Sequence, residues 1–485
     1  MDNEQRARRI EKIATLRSQG ISTYPEKFSV NYQLDKAAQL EDGTSGVSVA
    51  GRIMSIRNFR KLSFITLSNI HGSLQLLLKR EEVGDGPFEQ FFELVEIGDF
   101  IGAKGRMYST KTAEKTLRIE SLEFLGKALR TLPEKWHGLS NVELRYRQRY
   151  LDLMMTKDTQ NRLLARTKMV RAIRRFFEDK EFLEVETPVL QHTSSGAIAE
   201  PFTTFHNALD TKLNLRIAPE TYLKRLIVAG FTKVFEFAKC FRNEGISPQH
   251  LQEFTMVEDY AAYWNYQDTM KLMREMLLNV LEQTFHTTTI TIQGQAIDFL
   301  LEWEVVSFRD LILKDTGIDI ELYPDAKDLY QETQRRNLQL DHPDIESLGR
   351  GNFIDLLYKK MCRPQLIKPT FLIQHPIDLS PLARANDHHP SMTDRFQLVV
   401  NGAEIINAYS ELVDPLEQRK RLEEQALLKN NGDVEAMEMD EDYLIAMEYG
   451  MPPISGWGFG IERLLMVLTD SDTIKDCVLF PLTKK

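Results

Sequence analysis

The sequence predicts an α+β protein in which a small N-terminal β-barrel precedes a larger domain of mixed strands and helices. Three observations support this prediction. The chain has 485 residues, enough for two or three domains with proper cores. Residues 47–124 read as short strands separated by turns, and the longer remainder mixes strand patterns with helical periodicity.

The composition predicts a globular protein of the reducing cytoplasm. Charged residues make up 27% and hydrophobic residues 42%, and no apolar run approaches the roughly 20 residues that span a bilayer. The charged N-terminus does not resemble a secretory signal. Three scattered cysteines indicate neither a zinc site nor a disulfide framework. A net charge of −10 argues against non-specific coating of nucleic acid, but it leaves local basic patches possible.

The first element is a helix over residues 6–20, where Ile10, Ile13 and Leu16 recur at helical spacing among basic residues. Two interpretations stay open for it. It is either a solvated amphipathic helix or a helix that faces nucleic acid.

The next five elements are strands within residues 47–124, and about five strands in about eighty residues favour an OB-fold barrel. Such barrels bind single-stranded nucleic acid by stacking bases on aromatic rings beside polar side chains. Phe64 and Gln75 are candidates for these two roles. Alternatively, Phe64 is a core residue.

The remaining elements begin with a linker that runs into a helix over residues 131–154. A helix is predicted at about 160–180, helical stretches over much of 265–370, and an acidic helical segment near the end. We therefore expect an N-terminal domain over 1–140 and a second domain over 141–485, with a helical insertion at about 265–370.

A predicted hairpin brings a cation, two carboxylates and two rings together. Strand patterns flank the stretch that contains Arg242 and Glu244, and alternation along a strand would place these two side chains on one face. On the return strand, Phe254, Glu258 and Tyr260 share a face in the same way. Arginine suits a phosphate or carboxylate, and Phe254 offers a surface for a purine. The alternative is a surface salt bridge between Arg242 and Glu244 over a core phenylalanine.

A second pattern places glycines at 456, 458 and 460, followed by the helix "IERLLMVL". Alternating glycines leave one face of a strand bare, so that a flat ligand can approach the backbone. Arg463 in the first turn opposes the helix dipole, and a bound phosphate would resolve that conflict. The alternative is a glycine ladder that serves packing only.

A third pattern is a hairpin with its turn at Asn401–Gly402. The predicted register places Val399 opposite Glu404 and Gln397 opposite Ile406. Gln397 and Glu404 would then be diagonal neighbours on one face. Three further polar residues are predicted on the opposite face: Asn407, Tyr409 and Glu411. Polar groups on both faces suggest a lined site or a bulge.

These motifs resemble those of the class II aminoacyl-tRNA synthetases, and of the lysine-specific family among them. "FLEVETPVL" is similar to the first motif, which forms the dimer interface, "FRNEGIS" with the following "EF" to the second, and "GFGIERLLM" to the third. "RIAPETYLKRL", "TSSGAIAEPF", "YSEL" and "RYRQRYLDL" resemble intervening lysine-family segments. The resemblance covers nearly the whole chain. It implies an N-terminal anticodon-binding barrel and a catalytic domain built on an antiparallel sheet flanked by helices.

The resemblance implies an ATP site centred on three catalytic residues. Arg242 would hold the α-phosphate and the lysine carboxylate, Glu244 would meet the adenine amino group, and Arg463 would stack on the adenine and reach the γ-phosphate. His250 and Phe254 would flank the adenine. Glu404 is the remaining residue of the ATP site.

The resemblance also implies a lysine site, a metal site and partners. Glu220 and the Gly196 backbone would hold the α-ammonium, and Arg242 would hold the carboxylate. Tyr260 and Glu411 would hold the side-chain ammonium. The pocket would be completed by Glu258, Asn407 and Tyr409. Mg²⁺ would be bound by Glu404 and Glu411, with Gln397 standing where the family usually has a glutamate. Phe64 and Gln75 would read the anticodon of tRNA(Lys), and the chain would form a homodimer without membrane contact.

Two other functions stay open. The first is an aspartyl- or asparaginyl-tRNA synthetase, although the acidic residues Glu220, Glu258 and Glu411 favour a lysine substrate. The second is a tRNA-binding protein that has lost the activation reaction. Gln397 suggests this function, because it stands where the family usually has a glutamate.

Overall fold

The computed structural model describes residues 2–133, 141–197, 199–245, 247–340, 348–430 and 437–483. The chain divides into two compact units, Met1–Gln160 and Asn161–Lys485. Within the described ranges, no helix is long and apolar enough to span a bilayer.

The first unit contains a closed barrel whose strand order is β1-β2-β3-β5-β4. Its strands are β1 Val47–Asn58, β2 Leu62–Asn69, β3 Gly72–Lys79, β4 Phe100–Ser109 and β5 Lys115–Gly126. Alternate residues such as Ile65 and Leu67 are fully buried in the barrel core. The period-2 pattern therefore folds as expected, and the predicted five-stranded barrel is confirmed.

Six helices accompany the barrel: α1 Asp2–Ser18, α2 Leu34–Ala37, α3 Arg80–Val83, α4 Asp85–Leu94, α5 Val142–Arg147 and α6 Arg149–Met155. Leu16 of α1 packs into the barrel core. Arg9 is also tied to the barrel, because its guanidinium donates to the carbonyl oxygen of Ala128 at 2.7 Å. One side of α1 is thus a packing surface, while Ile10 remains exposed.

The second unit is built on an eight-stranded sheet with the order β14-β15-β16-β17-β18-β11-β10-β6. All neighbouring strands are antiparallel except at its two edges. The sheet strands are β6 Leu183–Glu184, β10 Lys233–Phe241, β11 Glu253–Ala262, β14 Glu304–Ser307, β15 Thr370–Ile373, β16 Arg395–Val400, β17 Ala403–Ser410 and β18 Ile454–Gly460. The remaining strands form two small sheets: β7 Leu190–Gln191, β8 Thr203–His206, β9 Thr211–Leu215, β12 Thr289–Ile292 and β13 Gln295–Asp298.

Helices pack on both faces of this sheet, and the part of one face that they leave uncovered lines a site. The helices are α7 Lys157–Asp179, α8 Glu220–Val228, α9 Tyr266–Phe285, α10 Phe308–Thr316, α11 Ala326–Arg335, α12 Arg350–Leu357, α13 Pro415–Asn430, α14 Glu441–Glu448 and α15 Ile461–Leu468. Phe177 of α7, Leu277 of α9 and Leu465 of α15 belong to the same buried core cluster as Trp457 and Phe459 of β18. Alternate β18 residues therefore face the core, and the glycines between them face away.

Strands interrupt the region over 265–370 that the sequence predicts as a helical insertion. It contains α9 to α12, but also β12 to β15, of which β14 and β15 belong to the main sheet. Part of this region is therefore integral to the sheet. The acidic segment near the end is helical in α13 and α14, and residues 431–436 between them lie outside the described residues.

The β16–β17 hairpin confirms one predicted pairing and corrects another. Its turn is at Asn401–Gly402, where both residues have positive φ, and Val399 pairs with Glu404 as predicted. Gln397, however, pairs with Asn407 instead of Ile406, because the register shifts after Leu398. This bulge places one extra residue in β17. It therefore brings Asn407 to the face that holds Glu404.

Candidate active site

The open face of the sheet lines a cavity of about 320 Å³. The predicted residues that line it are Gly196, Glu220, Arg242, Glu244, His250, Phe254, Glu258, Tyr260, Glu404, Asn407, Tyr409, Glu411 and Arg463. The structure thus gathers every predicted residue of the second unit except Gln397. The cavity has an arginine end (Arg242, Glu244, His250, Phe254, Glu404, Arg463) and a carboxylate end (Glu220, Glu258, Tyr260, Tyr409, Glu411).

At the arginine end, Arg242 and Glu244 lie beyond the end of β10, not on the strand as predicted, because β10 stops at Phe241. The Arg242 guanidinium carbon lies 5.2 Å from the centre of the Phe254 ring. Its Nε donates to the carbonyl oxygen of Ile217 at 3.4 Å. Arg242 and Glu244 form no ion pair with each other. The surface salt bridge that was the alternative to a functional interpretation is therefore absent.

Arg463 is placed by its neighbour in the sequence. The buried carboxylate of Glu462 accepts the backbone N–H of Thr255 at 3.0 Å and the Arg166 guanidinium at 2.8 Å, which fixes the first turn of α15 against β11. Within the described ranges, the side chain of Arg463 makes neither a hydrogen bond nor an ion pair. Burial, followed by the charge of Arg463, lowers the pKa of His250, and a cation at this helix start favours a bound anion.

The glycines of β18 serve packing at one end and access at the other. A Cβ atom on Gly456 would overlap the ring of Tyr260, and one on Gly458 would crowd the side chain of Glu258. These two glycines therefore make room for the carboxylate end. Gly460 has only Arg463 nearby, at 3.8 Å from its notional Cβ, so the backbone is open to a ligand there.

The carboxylate end is buried and hydrogen-bonded. Tyr260 donates its hydroxyl to Glu258 Oε2 at 3.2 Å, and Tyr409 donates to Glu220 Oε1 at 2.8 Å. Burial, and then the charge of Glu220, raises the pKa of Glu258 well above its ordinary value. Burial also raises the pKa of Tyr260. A cationic ligand would offset this effect, because its charge would stabilise the ionised form of the enclosed carboxyl groups.

Lys224 is a residue of this end that the sequence analysis missed. It is fully buried, and its Nζ lies 2.6 Å from Glu220 Oε1 and 2.5 Å from Glu411 Oε2. Three tyrosine rings surround it at 5.6–5.9 Å: Tyr260, Tyr409 and Tyr443. Burial alone lowers the pKa of Lys224, but the charges of Glu220 and Glu411 outweigh it and raise that pKa well above its ordinary value. The signal that could have found it is its position four residues after Glu220 on α8.

Arg395 is the second residue that the sequence analysis missed. It lines the cavity, and its Nε donates to Asn407 Oδ1 at 2.9 Å. Its Nη1 donates to the Leu379 carbonyl oxygen at 2.7 Å. Because Asn407 Oδ1 accepts from Arg395, the amide NH₂ group is the part of Asn407 left for a ligand.

Gln397 lies beside this group but does not line the cavity. Its side chain is 7% exposed, and its Oε1 has no hydrogen-bond partner among the described residues. The imidazole of His375 is its neighbour, and burial, followed by the charge of Arg395, lowers the pKa of His375 well below the usual value. The structure therefore places Gln397 next to Asn407 in the sheet but outside the cavity lining.

Comparison with known proteins adds a family to this geometry. A family model described as "tRNA synthetases class II (D, K and N)" matches residues 141–484, and one described as "OB-fold nucleic acid binding domain" matches residues 47–125. The "Lysine--tRNA ligase" of Carboxydothermus hydrogenoformans is 44% identical over 98% of this chain and 97% of its own length. Those of Moorella thermoacetica (43%; 99% and 98%) and Thermotoga maritima (42%; 100% and 97%) are similarly close.

The chain belongs to the lysine–tRNA ligase family of class II synthetases. The family resemblance stated from the motifs is thereby confirmed, as is the α+β fold with an OB-fold barrel. Members of this family are enzymes, and the family implies ATP as a substrate.

The carboxylates of the cavity fit the metal ions typical of this family at one position. Glu404 lines the cavity, and its side chain makes no hydrogen bond or ion pair with the described residues. Glu411 instead pairs with the Lys224 ammonium. No cluster of three or more acidic, histidine or cysteine ligands occurs in the part of the chain that the structure describes. A free carboxylate at this position suits Mg²⁺ that is bound mainly by substrate phosphates.

The barrel presents the two predicted anticodon residues on its outer face. Phe64 is half-buried, with the Arg57 guanidinium 5.6 Å from its ring centre and the exposed ring of Phe59 in edge contact at 6.3 Å. Gln75 accepts from Arg57 at 2.6 Å and donates to Thr116 at 2.9 Å. Phe64 is therefore not a residue of the barrel core. Gln75 is buried, and a nucleotide base would have to compete with Arg57 for its amide oxygen.

Proposed function

We propose that this chain ligates lysine to tRNA(Lys) in two steps, at the cavity of the second unit. The observation that carries the proposal is the pairing of two ends in one cavity. The arginine end has two guanidinium groups without acidic partners among the described residues, and the carboxylate end encloses three acidic side chains. One end suits a polyphosphate and the other a substrate with ammonium groups.

In the first step, the lysine carboxylate attacks the α-phosphate of ATP, which releases pyrophosphate and leaves lysyl-adenylate. Arg242 holds the α-phosphate and the attacking carboxylate together, and Arg463 neutralises charge on the outer phosphates. Phe254 lies under the Arg242 guanidinium and supports its orientation. Because no protein nucleophile is needed, catalysis consists of positioning and charge stabilisation.

Glu404 would hold Mg²⁺, which supplies charge neutralisation on the phosphates when bound. In the second step, a terminal ribose hydroxyl of the tRNA attacks the lysyl carbonyl carbon of the adenylate, the bond from that carbon to the phosphate oxygen breaks, and AMP leaves. Phe64 would stack on an anticodon base at the barrel, and Gln75 would contact the same base. These roles keep the assignments implied by the family resemblance. Glu411 and Gln397 carry less weight as metal ligands, because one is paired with Lys224 and the other lies outside the cavity lining.

The proposal is tested by ATP–pyrophosphate exchange with the full chain in the absence of tRNA. We expect exchange that depends on L-lysine and Mg²⁺, with aspartate and asparagine inactive because the pocket side chains are acidic. Exchange driven by aspartate or asparagine would assign the chain to another branch of the class. No exchange with any of the three at saturating Mg²⁺ would support the tRNA-binding protein without activation.

We also propose that the chain forms a homodimer through the segment over 182–190 and the helix before it, α7. The support is apolar exposure in the motif that resembles the family's interface: Leu183 is 55% exposed, and Val189 and Leu190 are 37% and 46% exposed. A two-fold interface would bury these side chains. Sedimentation is expected to show a dimer at micromolar concentration. A fully active monomer would contradict this proposal. The cytoplasmic location stays a prediction.

A further inference from the structure

The buried Lys224 ammonium occupies a position that the two-step reaction does not explain. It bridges Glu220 and Glu411, which are the two carboxylates assigned to the two ammonium groups of the substrate. Lysine as a ligand brings two ammonium groups to the carboxylate end. The chain's own lysine is a third ammonium at the same end.

Each of the two carboxylates uses only one oxygen for this bridge. Glu220 Oε1 accepts from both Lys224 Nζ and the Tyr409 hydroxyl. Glu411 pairs through Oε2, while its Oε1 faces Gly456, which lines the cavity. Neither oxygen of Glu411 has a hydrogen-bond partner among the described residues, but Oε2 lies at ion-pair distance from Lys224 and Oε1 does not have such a contact. A buried, unpartnered carboxylate oxygen that faces a cavity is a position for a ligand donor.

The helix that carries Lys224 is also held in place by core packing. Leu223 and Ile227, the neighbours of Lys224 on α8, are buried in a core cluster with Tyr260 and Ile454. The helix backbone therefore cannot shift without disturbing this core. Because both carboxylates contact the same nitrogen atom, the separation of their bridging oxygens cannot exceed the sum of the two contacts.

We propose that Lys224 is a specificity-determining positioning residue: its ammonium clamps Glu220 and Glu411 and thereby fixes the spacing between the carboxylates that receive the two ammonium groups of lysine. This inference rests on the proposed lysine activation. The spacing matches one length of aliphatic chain. Ornithine, which is one methylene shorter, reaches both carboxylates less well. Lys224 does not contact the reacting atoms.

The test measures ATP–pyrophosphate exchange with L-lysine and with L-ornithine for the wild type, Lys224→Met and Lys224→Arg. One methylene is worth roughly 10–200-fold in discrimination. We expect Lys224→Met to lower the ratio of kcat/KM for lysine over ornithine by about tenfold within that range, mainly through KM for lysine. Lys224→Arg keeps a cation but spreads its donors over two nitrogens, and we expect a lower ratio with activity retained.

A matched control is Lys127→Met in the barrel, where a fully buried lysine pairs with Asp99 at 2.8 Å and Glu96 at 2.7 Å. For Lys127→Met, the ratio of kcat/KM for lysine over ornithine should equal that of the wild type. If Lys224 only neutralises charge, both amino acids lose kcat/KM equally and the ratio is unchanged, which overturns the proposal. If Lys224→Met does not fold, an unchanged ratio in folded Lys224→Arg overturns it. Absence of lysine-dependent exchange in the wild type would instead refute the proposed function.

Discussion

The two ends of the cavity differ in how their charges are balanced by the protein itself. At the carboxylate end, Lys224 pairs with Glu220 and Glu411, and tyrosine rings surround its ammonium. At the arginine end, Arg242 and Arg463 have no acidic partner among the described residues. The protein therefore shapes the amino-acid site before the substrate arrives. The nucleotide site, by contrast, obtains its balance from the phosphates of its ligand.

The largest effect is expected when the ligand is changed so that it no longer carries the ammonium that the carboxylate end binds. Norleucine has the carbon skeleton of lysine but lacks the side-chain ammonium, so Glu411 and Tyr260 would be left without the partner they enclose. We expect exchange with norleucine to fall by about 10⁴-fold or more relative to lysine. If norleucine is activated as well as lysine, the assignment of the pocket is wrong.

The next effect breaks the arginine end. Arg463→Ala removes a guanidinium that stabilises phosphate charge, and we expect kcat for exchange to fall by about 10²–10³-fold. Arg463→Lys should recover part of the loss. The control is Arg309→Ala. The Arg309 guanidinium, on α10, donates to Asp319 Oδ1 at 2.7 Å, and the variant should keep wild-type activity. Equal losses in both alanine variants would point to general instability.

A smaller effect is expected from a substitution in the barrel, which leaves the carboxylate end and the arginine end of the cavity unchanged. Phe64→Ala should weaken aminoacylation of tRNA(Lys) by about 1–3 kcal/mol through the loss of a base stack, with exchange nearly unchanged. The control is Phe100→Ala, another barrel phenylalanine with an arginine, Arg52, 4.2 Å from its ring centre. An equal fall in aminoacylation and exchange would instead indicate a structural role for Phe64.

The smallest expected effect concerns Gln397. The sequence suggested that this residue contacts Mg²⁺ as a neutral ligand, in which case Gln397→Glu would lower the Mg²⁺ requirement. Because Gln397 is buried outside the cavity lining, we expect the Mg²⁺ titrations of the wild type and Gln397→Glu to superimpose. A lower requirement in the variant would restore the original hypothesis.

Local patterns predicted the strands and turns well. Five strands were expected within residues 47–124, and β1 to β5 lie between Val47 and Gly126. The turn at Asn401–Gly402 formed where the dipeptide indicated it. The bulge after Leu398 was not predicted, since nothing local marks where an extra residue enters a strand. For the same reason the sequence placed Asn407 on the wrong face.

The site residues were predicted from motifs, but their partners were not. Arg242 and Glu244 line the cavity as expected, although they lie beyond the strand on which alternation had placed them. Lys224 was missed because a lysine on an amphipathic helix is ordinarily exposed. Only the fold shows that it points between Glu220 and Glu411. The pairing of Lys224 with Glu411 depends on tertiary packing, which spacing along the chain does not encode.

The most direct test of a cavity with two ends is calorimetric binding of each ligand to two variants. Glu411→Gln should weaken binding of L-lysine while leaving ATP binding within a few-fold of wild type. Arg463→Ala should do the reverse. Thermal unfolding confirms that both variants are folded. If Arg463→Ala weakens lysine as much as ATP, or Glu411→Gln leaves lysine binding unchanged, the division of the cavity into an amino-acid end and a nucleotide end is contradicted.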